Sequence, residues 1–300
     1  MSKKRKLFKK YEGFLYLVPF LSVYLLFVFG MLVMTVILSF TDYKLIGDTT
    51  FSGIKNYTRL FADRIYWEAL RNTTVFVVIS TPVLIGVPFL LALLIEHPRL
   101  PLRGFFRTTY FAPQVIAVSI VAYIFQFMFQ PYTGLINNLL KNAHLLKESS
   151  EIYWLMNVAL VWVVIVIETL WWTGGFNMIL YIAGMQDIPD DLYECASLDG
   201  VSYWQKVRYI TFPLLSRTHI TILFLQLIAS FKVFGQIFLL TAGDPAGATR
   251  TYIQYLYEQG FRVFEIGRAS AASVVLMLII LIVSFVQFTI TSRKAEKVVG

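Results

Sequence analysis

Six stretches of this 300-residue chain are free or nearly free of charge, and each is long enough to cross a bilayer. A helical crossing needs about 20 apolar residues. The stretches lie near 14–40, 72–95, 108–130, 154–184, 218–241 and 269–291. The hydrocarbon core offers no water to an unpaired N–H or C=O, so each crossing segment must satisfy its own backbone, which predicts helices. The period-two alternation of barrel strands is absent. The expected fold is therefore all-α and polytopic, with six transmembrane helices. Composition agrees: 57% of residues are hydrophobic and 15% are charged, against about 25% charged in soluble chains. The mean hydropathy is +0.66.

The net charge of +8 is no nucleic-acid feature, because the positive residues sit in short clusters between apolar runs. They set orientation instead. With both termini inside, the inner segments hold 15 lysines and arginines: Lys3, Lys4, Arg5, Lys6, Lys9, Lys10, Arg99, Arg103, Arg107, Lys206, Arg208, Arg217, Arg293, Lys294 and Lys297. The outer segments hold 10, and Lys232 falls within a span. That balance favours cytoplasmic N and C termini. The basic start followed by an apolar run resembles a signal peptide, but the uncharged run from Gly13 to Thr41 is too long and no A-x-A site follows it; it is expected to be a retained first span. A single cysteine, Cys195, excludes an internal disulfide, and His97, His144 and His219 have no metal-ligand spacing. No internal repeat, low-complexity tract or long linker interrupts the chain. Pro82, Pro88, Pro113 and Gly174-Gly175 fall within spans, as tolerated kinks and close packing points or as hinges.

The longest inner loop, 187–209, reads as two short helices. Pro189 suits a first helical position, Asp190 and Asp191 suit the first turn, and Gly200 suits a left-handed helix end. Ser202 is placed to cap a second helix running to about Arg208. Leu192, Cys195, Ala196 and Asp199 lie at helical spacing, and small residues there let another surface approach. Glu194 and Asp199 offer charge to a partner's arginine or lysine. Docking of a protein and an amphipathic helix resting on the membrane both fit this pattern.

Glu194-Cys-Ala-Ser-Leu-Asp-Gly, followed by Ile210-Thr-Phe-Pro, resembles the EAA loop of bacterial ABC-importer permeases, with Glu194 to Gly200 and Ile210 to Pro213 at the family's spacing. The departure is Cys195, where alanine is usual. Further segments are similar to landmarks of the carbohydrate-uptake branch: Asn56-Tyr-Thr-Arg-Leu-Phe, Trp67-Glu-Ala-Leu-Arg-Asn-Thr, Phe106-Arg-Thr-Thr-Tyr-Phe-Ala-Pro, Gly134-Leu-Ile-Asn, Ala183-Gly-Met-Gln-Asp-Ile-Pro and Ser230-Phe-Lys-Val-Phe. Thr241-Ala-Gly-Asp-Pro resembles a T-x-G-G-P element in which Asp244 replaces the second glycine and is expected to take its left-handed turn. The resemblance implies one permease domain over 1–300, with a MetI-like core at about 66–291 preceded by the span at 14–40. It also implies residence in the bacterial inner membrane, a second permease subunit in a heterodimer, two cytoplasmic ATPase subunits and an extracellular solute-binding protein. The ATPase contact would be made by a coupling helix carrying Leu192, Glu194, Cys195, Ala196, Asp199 and Gly200. This chain would bind no cofactor, ATP and Mg being held by the partner subunits.

Charged groups inside spans point to a substrate path. Glu168 lies mid-span with Trp171 and Trp172 beside it; Glu168 and Trp172, four apart, share a helical face. Lys232 and Gln236 repeat that spacing in the fifth span, with Gln226 a turn and a half earlier. These groups offer hydrogen bonds to hydroxyls and aromatic faces for a sugar ring. A structural Glu168–Lys232 ion pair, or snorkelling and interfacial anchoring, explains them equally. Asn177, Tyr181, Tyr123 and Gln126 are further candidates. The chain is not expected to be an enzyme: it has no G-x-x-x-x-G-K-[ST] phosphate loop, Gly47 to Lys55 having the wrong spacing, and no nucleophile–base arrangement. The alternatives are an ABC permease for a phosphorylated polyol or other small solute, and an ion-coupled secondary transporter in which Glu168 titrates. The first needs a basic cluster, and the second commonly shows inverted repeats.

Overall fold

A computed structural model describes residues 16–43, 49–97 and 100–299. Lys3, Lys4, Arg5, Lys6, Lys9, Lys10 and Arg99 of the inner segments lie outside the described residues, as do Lys44 of the outer segments and positions 14 and 15 of the first span. The described residues are helical, apart from turns and one isolated bridge between Thr41 and Phe51. They form two compact units, the first from the described residues up to 63 together with 256–278, the second from those between 64 and 255 together with 279–299.

In the first unit, α1 (Tyr16–Ser39) is apolar on every side and none of its apolar window is buried, as suits a helix surrounded by lipid. Its last turn leaves carbonyls without helical donors. Asn56, on α2 (Lys55–Ala62), supplies them: its Nδ2 donates to Ser39 O at 3.0 Å and to Thr41 O at 2.7 Å. The Tyr57 hydroxyl adds a 2.8 Å bond to Ser39 Oγ. A Cβ at Gly267 would stand 2.1 Å from Thr41 O, so only glycine lets the chain pass there. Arg268 pairs with Asp63 and with Glu265.

The second unit is built on α3 (Arg64–Ile95), which continues through Pro82 and Pro88, and α7 (Val158–Gln186), packed along it. Asn157 Oδ1 caps α7 by accepting from the N–H groups of Ala159 and Leu160. Two expected spans are bent helix pairs. The segment 108–130 divides into α4 (Arg103–Phe111), extended by a 3₁₀ turn at Ala112–Val115, and α5 (Val118–Met128), set at 97° to it. The break falls at Ile116 and Ala117, both extended. The fifth span begins earlier than expected: α9 (Tyr203–Leu214) meets α10 (Ser216–Phe231) at 67°. It also stops earlier, because α10 ends at Lys232 and α11 (Gly235–Thr241) is a separate helix. Between the bent pairs and α7 come α6 (Leu135–Asn142) and α8 (Asp190–Leu198); α12 (Tyr252–Tyr257) and α13 (Ile266–Val299) close the chain.

Two apolar clusters hold this unit together. One joins Phe76, Val121, Phe125, Val161, Val164, Ile165, Val233 and Ile237; the other joins Ala92, Ile95, Met178, Tyr181, Ile182, Leu215 and Ile222. Beyond the first cluster, the turn after α11 is fastened to α3. Asn72 Nδ2 donates to Gly247 O at 2.9 Å and to Arg250 O at 3.1 Å, and Thr73 Oγ1 accepts from Tyr252 N–H. The left-handed residues in this turn are Ala242, Gly243, Ala246 and Gly247. Asp244 is not among them; it precedes a cis proline and its N–H closes the turn onto Thr241 O.

Candidate functional site

Two sites emerge, one beyond each end of the second apolar cluster. The first is α8 with the start of α9. Pro189 stands at the N-cap, one position earlier than expected, and Asp190 and Asp191 occupy the first turn. The helix ends as the sequence implies: Gly200 is left-handed at φ +73°, with Gly200 N–H donating to Ser197 O and Val201 N–H to Ala196 O. These are the paired bonds of a Schellman ending. Gln205 Oε1 then accepts from the N–H and the hydroxyl of Ser202, starting α9. That helix continues through a π-turn at Val207–Thr211 instead of stopping near Arg208.

The segment is mounted firmly. Ile188 is buried in the second apolar cluster, and the Tyr193 hydroxyl bonds Thr211 Oγ1 at 3.0 Å. The Tyr203 hydroxyl donates to Leu93 O at 3.0 Å, one of the carbonyls that the last turn of α3 leaves unpaired. No residue of α8 itself is buried. Leu192, Glu194, Cys195 and Asp199 are exposed, Ala196 is half-buried, and among the described residues Glu194 forms no ion pair. Glu194 borders a depression of about 520 Å³ together with Glu96, Arg103, Asp190 and Lys206. Sequence reasoning missed Leu198, 89% exposed, and Trp204, 66% exposed. Large apolar side chains in a polar loop were the available clue.

The second site is a cavity of about 200 Å³ between the two clusters, walled by Phe76 of α3, Gln114, Thr169, Thr173, Phe176 and Asn177 of α7, and Gln226, Ser230 and Gln236 from α10 and α11. Among the described residues no charged side chain lines it. A hydrogen-bonded chain crosses the wall from α3 through α7 to α10. Asn177 Nδ2 donates to Leu84 O at 2.8 Å and to Gln226 Oε1 at 2.9 Å, and Gln226 Nε2 donates to Ser230 Oγ at 2.9 Å.

Of the expected path residues, Gln226 and Gln236 line this cavity, and Glu168, Trp171, Trp172 and Lys232 do not. Trp172 Nε1 donates to Ile116 O at 3.1 Å, satisfying a carbonyl exposed by the break between α4 and α5. Trp171 is 44% exposed and lies against Phe125 with ring centres 5.8 Å apart. Glu168 is fully buried beside the cavity-lining Thr169, and among the described residues neither carboxylate oxygen has a hydrogen-bond partner. Lys232 is exposed at the C-terminus of α10 rather than within a span, so the structure forms no Glu168–Lys232 pair. A cation is favoured there by the helix dipole. Of the further candidates, Asn177 lines the cavity. Tyr181 is buried with its hydroxyl 3.0 Å from His219 Nδ1, Tyr123 is exposed and Gln126 is half-buried. Gly175 is a packing point: a Cβ there would stand 2.2 Å from Tyr110 O.

Residues 13–296 match the family described as "Binding-protein-dependent transport system inner membrane component". The chain is 34% identical over 276 residues to the probable ABC transporter permease protein YurN of Bacillus subtilis (strain 168), covering 91% of this chain and 94% of that one. It is 31% identical over 281 residues to the lactose transport system permease protein LacF of Rhizobium radiobacter, covering 92% and 93%. The trehalose/maltose transport system permease protein MalF of Thermococcus litoralis is 32% identical over 288 residues, with 95% and 93% covered. A chain in the crystal structure of a bacterial ABC transporter involved in the import of the acidic polysaccharide alginate superposes with a TM-score of 0.84 at 24% identity, covering 97% of this chain and 99% of that chain. At that identity the likeness is one of fold.

Proposed function

Because the chain belongs to the family of binding-protein-dependent transport system inner membrane components, we propose that it is the membrane-spanning subunit of an ATP-driven importer for a neutral sugar or oligosaccharide. The family is one of transport permeases, and the helices match a membrane-embedded chain. In this reading α8 lies on the cytoplasmic face and docks on an ATPase subunit. A second permease completes the pathway, and an extracellular binding protein delivers the solute.

The observation that carries the coupling role is the state of α8. It is a nine-residue helix with no buried residue and, among the described residues, with Glu194 in no ion pair, and the helix that follows it is fastened through Tyr203 to the end of the longest cavity-lining helix. A helix needed only for packing would bury a face. The uncharged cavity supports the solute class. Amides and hydroxyls match a polyhydroxy solute, and a phosphorylated one would call for arginine or lysine in the lining. The sugars in the names of several relatives point the same way.

The variant Glu194→Lys tests the coupling. It reverses one exposed charge and should leave the chain inserted and folded. Uptake and co-purification of the ATPase subunit should both be lost. Full uptake by this variant would remove the coupling role.

A further inference from the structure

Pro88 lies inside α3 and has no N–H, so the carbonyl of Leu84, four residues earlier, loses its helical donor. In a bilayer no water replaces that donor. Asn177 replaces it through Nδ2. A carbonyl only accepts, so the amide nitrogen of Asn177 must be the atom that faces α3. The second N–H of that nitrogen goes to Gln226, which must therefore present Oε1 and turn Nε2 toward Ser230. Each amide has one way round, and the order starts at a proline. Among the described residues no hydrogen bond uses Asn177 Oδ1, and Asn177 lines the cavity.

We infer that the Leu84 carbonyl freed by Pro88 sets, through Asn177, the donor–acceptor order of the cavity wall, so that Asn177 offers Oδ1 as an acceptor to a solute hydroxyl and holds Gln226 in register beside it. Asn177 is thus both a positioning residue for Gln226 and a reader of the solute. The reading role rests on the cavity being the solute's path, as proposed above; the ordering role does not. A solute that donates a hydroxyl hydrogen is accepted at this point, and an analogue with a methyl ether there is refused.

The test is a double-variant cycle on the transporter assembled with its native partners. Asn177→Leu keeps the side-chain size and removes both N–H groups, leaving the Leu84 carbonyl without a donor, so the thermal midpoint falls. Pro88→Ala gives residue 88 an N–H for Leu84, so Asn177→Leu should lower the midpoint far less in the Pro88→Ala background. An equal fall in both backgrounds, or none in either, overturns the ordering. Uptake of lactose and of trehalose into proteoliposomes reads the solute role. In the stable double variant the half-saturating concentration should rise roughly tenfold, the size of one lost hydrogen bond, with the maximal rate nearly kept. That rise is measured against Pro88→Ala alone, so that the loss of Asn177 is read within one background. Half-saturation unchanged in the double variant overturns the solute role and leaves Asn177 a fastener between helices. If the wild type takes up neither sugar, the sugar reading fails and the solute role with it, while the thermal cycle still decides the ordering.

Discussion

Gly174 and Gly175 are adjacent in sequence and differ in what they permit. A Cβ on Gly175 meets backbone of α4, at 2.2 Å from Tyr110 O and 2.8 Å from Phe111 Cα, and backbone cannot step aside. On Gly174 the nearest atom is Leu170 Cδ1 at 3.1 Å, the end of a flexible side chain. Gly175→Ala is therefore expected to destabilise the chain by at least about 1–3 kcal/mol through overpacking. Gly174→Ala should be near neutral, because helix propensity returns up to about 1 kcal/mol. Thermal unfolding of the two purified variants compares them directly. The pair was legible in the sequence as a kink or a packing point, but which glycine does the work was not. That depends on α4, 64 positions earlier for Phe111, crossing at one residue and not the next. Trp172 shows the same limit. Its value to the span was visible in its type, yet its partner is a carbonyl made available by a break that hydropathy does not register.

At the scale of the element, the sequence showed α8 best. Its acidic first turn, its glycine ending and the following capped helix are local chemistry, written within a few residues of where they act. Gly200 has open space around it, and its φ of +73° is what a side chain would strain. Gly200→Ala should thus cost about 1 kcal/mol, concentrated in the turn that aims α8 at α9. The expected result is uptake reduced several-fold with unchanged amounts of inserted protein, read by transport assay and immunoblot. Unaltered uptake would show that the turn tolerates a looser aim. The bent spans were not legible. Residues 108–130 sum to a membrane-length apolar run whether the backbone continues or turns by 97°, because hydropathy adds side chains and is blind to ψ at Ile116 and Ala117. The same blindness put Lys232 inside a span, when it ends one.

For the whole molecule, the six apolar segments could be located from the sequence, four of them appearing as single helices and two as bent pairs among the described residues, while the cavity's position could not. It lies between Ile165 and Met178 on α7, against the Phe76 side of the first apolar cluster, and its wall draws on residues from 76 to 236. Long-range packing chose Asn177 and Gln226 for it over Trp171 and Lys232. The proposed energy source acts at this scale too. Uptake into vesicles loaded with ATP and the ATPase subunit should persist when all ion gradients are collapsed. Dependence on a gradient would favour the carrier reading with buried Glu168 at its centre.

α3 is 32 residues long, about 48 Å at 1.5 Å per residue. Through Asn72 and Thr73 it grips the turn after α11, through Phe76 and Leu84 it forms and supports the cavity wall, and through the Leu93 carbonyl it holds Tyr203. The consequence is mechanical. One rod is clamped at both ends and carries its load in the middle, with its compliance confined to Pro82 and Pro88. A displacement applied at the Tyr203 clamp must cross Pro88 to reach Leu84, so stiffness at that joint, where Asn177 braces the Leu84 carbonyl, matters more than strength at either clamp for how much of it arrives.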